Sequence, residues 1–341
     1  MSFLIVDIEA SQLTSSDIRR IKHPSVAGII LFSRNYKNKN QLVKLIKDIR
    51  SVKENILITV DYEGGRVQRF KDQFTLIPAM RQLGFAYEKN KDQTLLLTKK
   101  IGWLISKELG EIDIDFSFTP VLDIDYASSS IIGDRSFHYQ GAIISELAKA
   151  LIDGLSMGGM QAIGKHFPGH GYIKEDTHLE TAIDSRSYEE IKKHDIKVFM
   201  KTLDTNMSGI MTSHVIYEKC DKYPSTFSNF WINKILKQSL GFKGLIFTDD
   251  LSMSAAANFF PSITERLNKA FSAGIDIALI CNAFDRVDEV LMNENWDYCE
   301  STSIKIKNMR LDKKKNDNCS FLGQSLNSIQ EEVNFFTKNN K

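Results

Sequence analysis

The stretch Gln161-Ala162-Ile163-Gly164-Lys165-His166-Phe167-Pro168-Gly169-His170-Gly171 joins a short apolar run to a dense group of titratable side chains. Its first four residues are typical of a barrel strand, and the following seven begin the loop after that strand. With Asp176 and His178 downstream, Lys165, three histidines and an aspartate lie within fourteen residues. A buried structural segment has little reason to collect such groups. The sequence therefore predicts a loop that binds a polar ligand and transfers protons.

Seven more short apolar runs occur along the chain, and they are typical of a parallel sheet buried on both faces. The eight strand candidates are Phe3–Ile8, Ala27–Phe32, Ile56–Val60, Phe116–Val121, Gln161–Gly164, Gly209–Thr212, Gly244–Phe247 and Ile275–Ile280. Amphipathic segments with helical spacing separate them at Gln41–Val52, Gln93–Leu109, Ala142–Met157, Tyr188–Leu203 and Asn229–Leu240. This alternation predicts an α/β fold, a single-domain (β/α)8 TIM-type barrel. The alternative is an open doubly wound sheet, although no Gly-x-Gly-x-x-Gly motif opens the first crossover.

Polar residues directly follow most of the predicted strands. They are Asp61, Asp123, the pair Lys165 and His166, the pair Ser213 and His214, the pair Asp249 and Asp250, and Asn282. Active sites of (β/α)8 barrels lie at the C-terminal ends of the strands. Six strands that carry polar groups at the same end therefore predict where the active site lies.

The composition is that of a globular enzyme, with 341 residues of which 42% are hydrophobic and 26% are charged. We expect residues 1–307 to form the catalytic barrel and residues 308–341 to form a polar extension with a possible helix near Ser328–Phe336. The net charge of +1 gives no electrostatic case for a nucleic-acid or membrane partner. Scattered cysteines and an N-terminus without a signal-peptide pattern predict a cytoplasmic location.

Two pairs of residues are candidates for catalysis. Asp249, nearer its strand, is a candidate nucleophile, base or metal ligand, whereas we expect Asp250 to cap the helix that follows. Asp176 and His178 lie two residues apart, a spacing that puts both side chains on one side of an extended loop. A carboxylate beside an imidazole raises the histidine pKa and fixes its tautomer, which is suitable for a general acid and base. The alternative is a surface loop with unrelated polar residues.

A second group of residues is suited to binding hydroxyl groups. Asp61 can accept two hydrogen bonds, and Arg69 and Arg135 can donate to an oxygen-rich ligand. Lys165 and His166 lie at a strand end, where they can contact the same ligand. The alternatives are ion pairs that only close loops, or a structural role for the strand-end residues. We interpret His170, between two glycines, as a residue that shapes its loop.

A zinc site built from His166, His170, Asp176, His178 and His214 is the remaining alternative. No His-x-His, His-Glu-x-x-His or Cys-x-x-Cys spacing is present, and Lys165 would repel a cation. We therefore predict neither a metal nor a cofactor.

Taken together, these motifs resemble the family 3 glycoside hydrolases and, more narrowly, the single-domain bacterial β-N-acetylglucosaminidases of peptidoglycan recycling. The resemblance covers nearly the whole chain. Its segments are Ala27–Tyr36, Asp61–Phe70, Asp115–Asp123, Gly133–Phe137, Lys165–His178, Met211–Tyr217, Phe247–Met253 and Ala273–Asp276. The combination of Lys-His-Phe-Pro-Gly-His-Gly, Asp-x-His and Thr-Asp-Asp-Leu-Ser-Met is highly specific.

The resemblance implies retaining hydrolysis in which Asp249 forms a covalent glycosyl-enzyme. It implies that His178, with Asp176 as its partner, is the general acid and base, after a hinge-like Gly169–Gly171. The residues implied to bind N-acetylglucosamine are Asp61, Arg69, Arg135, Lys165 and His166, with Met253 near the N-acetyl group. The implied substrate is a muropeptide, N-acetylglucosamine β-1,4-linked to 1,6-anhydro-N-acetylmuramic acid with or without peptide. We expect a monomer.

The sequence departs from the family pattern at two places that matter. Tyr62 replaces a common glutamine beside Asp61, which we expect to reshape the pocket edge. No proline follows His178 within Leu179–Ile183, which leaves the stiffness of that loop open. The other functions considered are a β-N-acetylglucosaminide phosphorylase, a catalytically silent sugar-binding protein, and a β-glucosidase, which usually carries a second domain.

Overall fold

Eight parallel strands form one sheet in the computed structural model, which describes residues 3–174, 181–292, 300–318 and 320–340. The strands are β1 (Leu4–Val6), β2 (Val26–Leu31), β3 (Leu57–Val60), β4 (Phe116–Ser117), β5 (Ala162–Phe167), β6 (Met207–Thr212), β7 (Leu245–Asp250) and β8 (Ile277–Ile280). Their order in the sheet is β4-β3-β2-β1-β8-β7-β6-β5. This order runs through the strands in sequence and leaves β4 and β5 at its two edges.

The two edge strands meet and close the sheet into a barrel. Parallel bridges pair Phe116 with Gln161 and Val121 with Lys165. The backbone nitrogen of Leu122 donates to the Lys165 oxygen at 2.7 Å. All eight predicted strands are present, and the predicted (β/α)8 barrel is confirmed. An open doubly wound sheet is wrong, because its edge strands would not meet.

Most strands differ in length from the sequence-based prediction, and the differences in β4, β5 and β7 lie at the C-terminal end of the barrel. β4 is much shorter than the predicted Phe116–Val121, because Pro120 has no backbone N–H to donate to a ladder. β5 and β7 are longer at their C-terminal ends than the predicted runs. Lys165, His166, Asp249 and Asp250 therefore belong to the strands themselves, whose backbone hydrogen bonds hold these residues in place.

Helices and short strands surround the barrel. The helices are Ser15–Lys22, Lys39–Val52, Met80–Lys89, Lys91–Glu111, Gly141–Met157, three consecutive parts at Tyr188–Ile191, Lys192–Ile196 and Lys197–Thr202, then Phe230–Ser239, Ser254–Phe259, Ile263–Ala273, Phe284–Leu291, Glu300–Lys307, Lys313–Asn316 and Leu326–Asn339. The short strands are Tyr62–Gly64, Val67–Gln68, Ala182–Asp184, Val215–Tyr217, Ser320–Phe321 and Gln324–Ser325. The five predicted helices lie within or overlap these segments. Among the described residues, no helix is both long and apolar enough to cross a membrane.

The C-terminal helix Leu326–Asn339 packs against the barrel helix Lys91–Glu111. Ile329 and Val333 are fully buried on its inner face. An ion pair joins Lys100 to Glu332 at 2.6 Å at the edge of this contact. The polar tail of the sequence therefore covers an outer face of the barrel.

Two glycines allow the helices Lys91–Glu111 and Gly141–Met157 to approach each other closely. A Cβ atom at Gly154 would lie 2.0 Å from the Lys99 backbone oxygen. A Cβ atom at Gly102 would lie 2.2 Å from the Leu151 backbone oxygen. Backbone atoms of one helix thus occupy the space of a side chain on the other.

We predict that Gly154→Ala destabilises the protein by about 1–3 kcal/mol, the usual cost of overpacking. In an isolated helix the same change would stabilise by about 1 kcal/mol, so the sign of the effect is diagnostic. Asp153→Ala, at an exposed neighbouring position, is the matched control. Urea unfolding measures both variants, and a Gly154→Ala variant that is more stable than the wild type would contradict the close approach.

Candidate active site

A cavity of about 430 Å³ opens at the C-terminal end of the barrel. Each strand from β2 to β8 contributes a lining residue from its C-terminal half or from the residues just after it. The predicted residues that line the cavity are Asp61, Arg69, Arg135, Lys165, His166 and Asp249. The structure therefore brings together, in one cavity, predicted residues that lie far apart in the chain.

Asp61 lies between two cations on one side of this cavity. Lys165 Nζ lies 3.1 Å from Asp61 Oδ1, and Arg69 Nη2 donates to Asp61 Oδ2 at 3.0 Å. Burial alone would raise the pKa of Asp61, but the charges of Lys165 and Arg69 outweigh it and hold the pKa well below its usual range. Asp61 is thus an ionised acceptor beside two donors, an arrangement suited to adjacent sugar hydroxyls.

Glu63 is a residue of this site to which the sequence analysis assigned no role. Its carboxylate accepts two hydrogen bonds of 2.9 Å from Arg135 Nε and Nη2, and it also pairs with Lys165 Nζ at 2.5 Å. Burial raises the pKa of Glu63, yet the charges of Arg135 and Lys165 lower it to about 2. The signal that could have revealed Glu63 is electrostatic, since two inward-facing cations require a second carboxylate besides Asp61.

Asp123 orients the two histidines of the opening stretch. Its Oδ2 lies 2.7 Å from His166 Nδ1, and its Oδ1 accepts from the His170 backbone nitrogen at 2.7 Å. With Nδ1 directed at a carboxylate, His166 Nε2 lies 3.5 Å from Arg135 Nη2 at the cavity wall. Burial, reinforced by the charge of His166, lowers the pKa of His170 to about 4, so His170 is neutral near pH 7. His170 lines the cavity as well as shaping its loop.

The neighbouring carboxylates Asp249 and Asp250 have different surroundings. Asp250 accepts from the Ser252 nitrogen at 2.9 Å, from Ser252 Oγ at 2.6 Å and from the Cys281 nitrogen at 3.0 Å. Burial raises the pKa of Asp250 to about 6. The expected helix cap is wrong, because the helix begins at Ser254 and Asp250 instead ties the end of β7 to the end of β8. Asp249 Oδ1 accepts from the Asp250 nitrogen at 2.8 Å, which orients this carboxylate at the strand end.

Three further expectations concern residues around this cavity. Met253 is buried just after β7 but is not among the described residues that line the cavity, so its role near an N-acetyl group stays a prediction. Tyr62 is fully buried, and its hydroxyl accepts from Gln68 Nε2 at 2.8 Å. Its ring packs against Phe74, so Tyr62 fills the core behind the pocket rather than reshaping its edge. Asp176 and His178 lie outside the described residues.

The glycines after β5 are packed against other segments. A Cβ atom at Gly171 would lie 1.7 Å from the Ile124 backbone oxygen, and one at Gly169 would lie 2.6 Å from Asp195 Oδ1. The Gly169 carbonyl accepts a hydrogen bond from the Tyr217 hydroxyl. Close approach at both positions, together with a φ of 142° at Gly169, requires glycine here, and the hinge stays a prediction.

The charged groups of the cavity are arranged for a neutral polar ligand. Within the described part of the chain, no three His, Cys, Asp or Glu side chains are grouped so that they could hold a metal ion. Each carboxylate described above already faces a cation or at least one N–H donor. Such alternation of acceptors and donors matches the hydroxyl groups of a sugar ring.

A model of the glycosyl hydrolase family 3 N-terminal domain matches residues 5–310. The chain belongs to glycosyl hydrolase family 3. A β-hexosaminidase of Nitrosomonas eutropha is 47% identical over 308 residues, which are 90% of this chain and 88% of that protein. A β-hexosaminidase of Actinobacillus succinogenes is 42% identical over 331 residues, which are 95% and 94% of the two chains. The predicted family and the predicted glycoside hydrolase class are confirmed.

Solved structures show the same barrel. NagZ from Neisseria gonorrhoeae is 36% identical to this hydrolase, with a TM-score of 0.92 and coverage of 98% of each chain. That NagZ has also been solved in complex with N-trifluoroacetyl-D-glucosamine. The similarity extends over the full barrel and the C-terminal helix, so this family 3 hydrolase shares its whole architecture with a solved relative.

We predict that Glu63→Gln lowers the free energy of unfolding by about 3 kcal/mol at pH 7, because Arg135 and Lys165 lose a buried partner. The pKa of Glu63 is lowered on folding, so its contribution to stability is present above the ordinary value of 4.5. That contribution is lost as the pH falls toward about 2, and the two proteins should converge over this window.

Urea unfolding of both proteins between pH 7 and pH 3 measures this difference. Glu54→Gln, at an exposed position, is the control and should stay within about 0.5 kcal/mol of the wild type throughout. Equal stability of the wild type and Glu63→Gln at pH 7 would contradict the network.

Proposed function

We propose that this protein is a retaining exo-β-N-acetylglucosaminidase that releases terminal N-acetylglucosamine from muropeptides. Membership of family 3 and the similarity to β-hexosaminidases make the chain a β-N-acetylhexosaminidase. One observation carries the finer assignment. Asp249, at the end of β7, lines the same cavity as Asp61, Arg69 and Lys165 on other strands.

The shape and charge of the cavity support a single terminal sugar as the bound unit. A volume of about 430 Å³ lies at the small end of the range for ligand pockets, about 300–1,000 Å³. Asp61 offers two acceptor oxygens, while Arg69, Lys165 and Arg135 offer donors around it. The apolar side chains Ile30, Phe118, Met211 and Leu279 form the floor toward the barrel interior. The muropeptide aglycone is inferred from the resemblance to enzymes of peptidoglycan recycling.

In the proposed first step, a carboxylate oxygen of Asp249 attacks the anomeric carbon. The bond from that carbon to the leaving-group oxygen breaks, and His178 donates a proton to this oxygen. The products are a covalent glycosyl ester on Asp249 and the free aglycone. Binding of the sugar ring by Asp61 and Lys165 holds the anomeric carbon near Asp249, which lowers the entropic cost of the attack.

In the proposed second step, water attacks the anomeric carbon and His178 accepts a proton from this water. The ester bond breaks, and Asp249 returns to its ionised form. Two displacements at one carbon retain the β configuration. Asp176, two residues before His178, is proposed to orient the imidazole and to stabilise its charged form.

We predict that Asp249→Asn lowers turnover of 4-nitrophenyl β-N-acetylglucosaminide by on the order of 10⁴-fold, the scale reported for loss of a component of a catalytic triad. The wild type should turn over this substrate and leave the β-glucoside nearly untouched. Circular dichroism and thermal unfolding confirm that the variant is folded. Turnover within tenfold of the wild type would contradict the role of Asp249.

The same assay distinguishes the other functions. If the main product in phosphate buffer is sugar 1-phosphate, the protein is a phosphorylase rather than a hydrolase. A folded wild type that binds N-acetylglucosamine but turns over neither glycoside nor a muropeptide would favour a sugar-binding protein.

We predict that His178→Ala loses about 10²–10⁴-fold in kcat/KM on a natural disaccharide, because its leaving group needs a proton. On the 2,4-dinitrophenyl glycoside the loss should be small, since that leaving group departs as an anion. The slope of log kcat/KM against leaving-group pKa measures this difference. Equal loss on both substrates would contradict the acid role of His178.

A further inference from the structure

Five side chains beside the cavity form a group with a buried, charged centre that the proposed chemistry does not use. They are Tyr126, Tyr172, Asp184, Arg186 and Asp195, which we call the Arg186 cluster. Tyr126 follows β4, Tyr172 follows β5, and Asp195 belongs to the helical segment Lys192–Ile196. Arg186, Asp184 and Asp195 are all less than 10% exposed. So many charges away from solvent require a dense set of contacts.

Arg186 is the centre of this cluster. Its Nη2 and Nε contact the Asp184 carboxylate at 2.7 and 3.0 Å, and its Nη1 donates to Asp195 Oδ2 at 2.8 Å. Nη1 also donates to the Tyr126 hydroxyl at 3.0 Å. The planar, forked guanidinium is what allows one side chain to reach three partners at once, and a lysine could not reproduce this geometry.

The guanidinium also packs against two aromatic rings. Its carbon lies 4.2 Å from the centroid of the Tyr172 ring and 5.0 Å from that of Tyr126. Tyr172 precedes Asp176 and His178 in the chain, whereas Arg186 follows them. The contact between Arg186 and Tyr172 therefore joins the two flanks of the segment that carries the proposed acid and base.

The cluster also packs directly against the segment that lines the cavity. Asp195 Oδ1 lies 2.6 Å from where a Cβ atom of Gly169 would be. The residue after Gly169 is His170, whose backbone nitrogen donates to the Asp123 carboxylate that also holds His166. Both flanks of the catalytic segment are thus connected to the wall of the sugar cavity through buried contacts.

We propose that Arg186 is a positioning residue for the glycosidase reaction, which places His178 relative to the cavity by holding Tyr172 and Asp195 together. The proposal rests on the proposed function of His178. It differs from a purely structural role in one respect. A displaced acid lowers the rate only where the leaving group needs a proton, whereas general destabilisation lowers the rate on every substrate.

The test compares Arg186→Lys and Tyr172→Leu with the wild type. Arg186→Lys keeps the charge beside Asp184 and Asp195, and Tyr172 is 41% exposed, so both variants should fold. Tyr139→Leu is the matched control, because this exposed tyrosine stacks on His138 and donates to Glu88 instead. Activity is measured on the 2,4-dinitrophenyl glycoside, the 4-nitrophenyl glycoside and a disaccharide, with inhibition by free N-acetylglucosamine as a measure of sugar binding.

We expect both variants to lose about 10–100-fold in kcat/KM on the disaccharide. This loss is a part of the rate enhancement that a well-placed general acid supplies. The loss on the 2,4-dinitrophenyl glycoside should be below about threefold, and the inhibition constant should not change. Tyr139→Leu should resemble the wild type on all three substrates.

Equal losses on all three substrates, or none on the disaccharide, would overturn the positioning role while leaving the proposed function in place. If His178→Ala itself shows no dependence on the leaving group, the acid assignment fails instead, and the two failures are distinguishable.

Discussion

The buried network of Lys165, Asp61, Glu63 and Arg135 is the constraint on which the rest of the site depends. Two cations and two carboxylates from the ends of β3 and β5 and from the loop after β4 meet at one end of the barrel. Removing one member leaves a partner charged in a low-dielectric environment, so the four groups hold one another in place. The cavity is therefore polar and preorganised on this side before a ligand binds.

Besides this charged network, the site needs a fixed position for each functional side chain, and the barrel provides it. Lys165, His166 and Asp249 belong to strands rather than to loops. Their backbones are held by parallel neighbours, and Asp250 and Asp123 add side-chain contacts that tie adjacent strand ends together. The proposed nucleophile and two of the proposed sugar-binding residues, Lys165 and His166, thus lie on the strands of the barrel. The proposed acid and base, His178, lies outside the described residues, and the Arg186 cluster joins the segments that precede and follow it in the chain.

The sequence predicted the architecture well because the barrel obeys local rules. Short apolar runs and helical spacing follow from burial, and polar residues at strand ends mark the catalytic end of a barrel. The sequence could not predict which charged side chains pair with one another in the folded protein. Glu63 and Asp61 lie two residues apart, and only the folded structure shows that Arg135 pairs with Glu63 while Arg69 pairs with Asp61. In the same way, Asp250 was expected to cap a helix. Its actual contact, with the Cys281 nitrogen, joins two strands that no local sequence pattern connects, so the sequence could not reveal it.

The central claim, that Asp249 is the nucleophile of a retaining mechanism, can be tested most directly by trapping the covalent intermediate. A fluorinated N-acetylglucosaminyl fluoride forms the glycosyl ester faster than water removes it. Trypsin should then release the peptide Gly244–Arg266, and fragmentation can separate Asp249 from Asp250. We expect one fluorosugar on Asp249 and none on the Asp249→Asn variant. An adduct on Asp250 or on another residue, or inactivation without any adduct, would contradict the account.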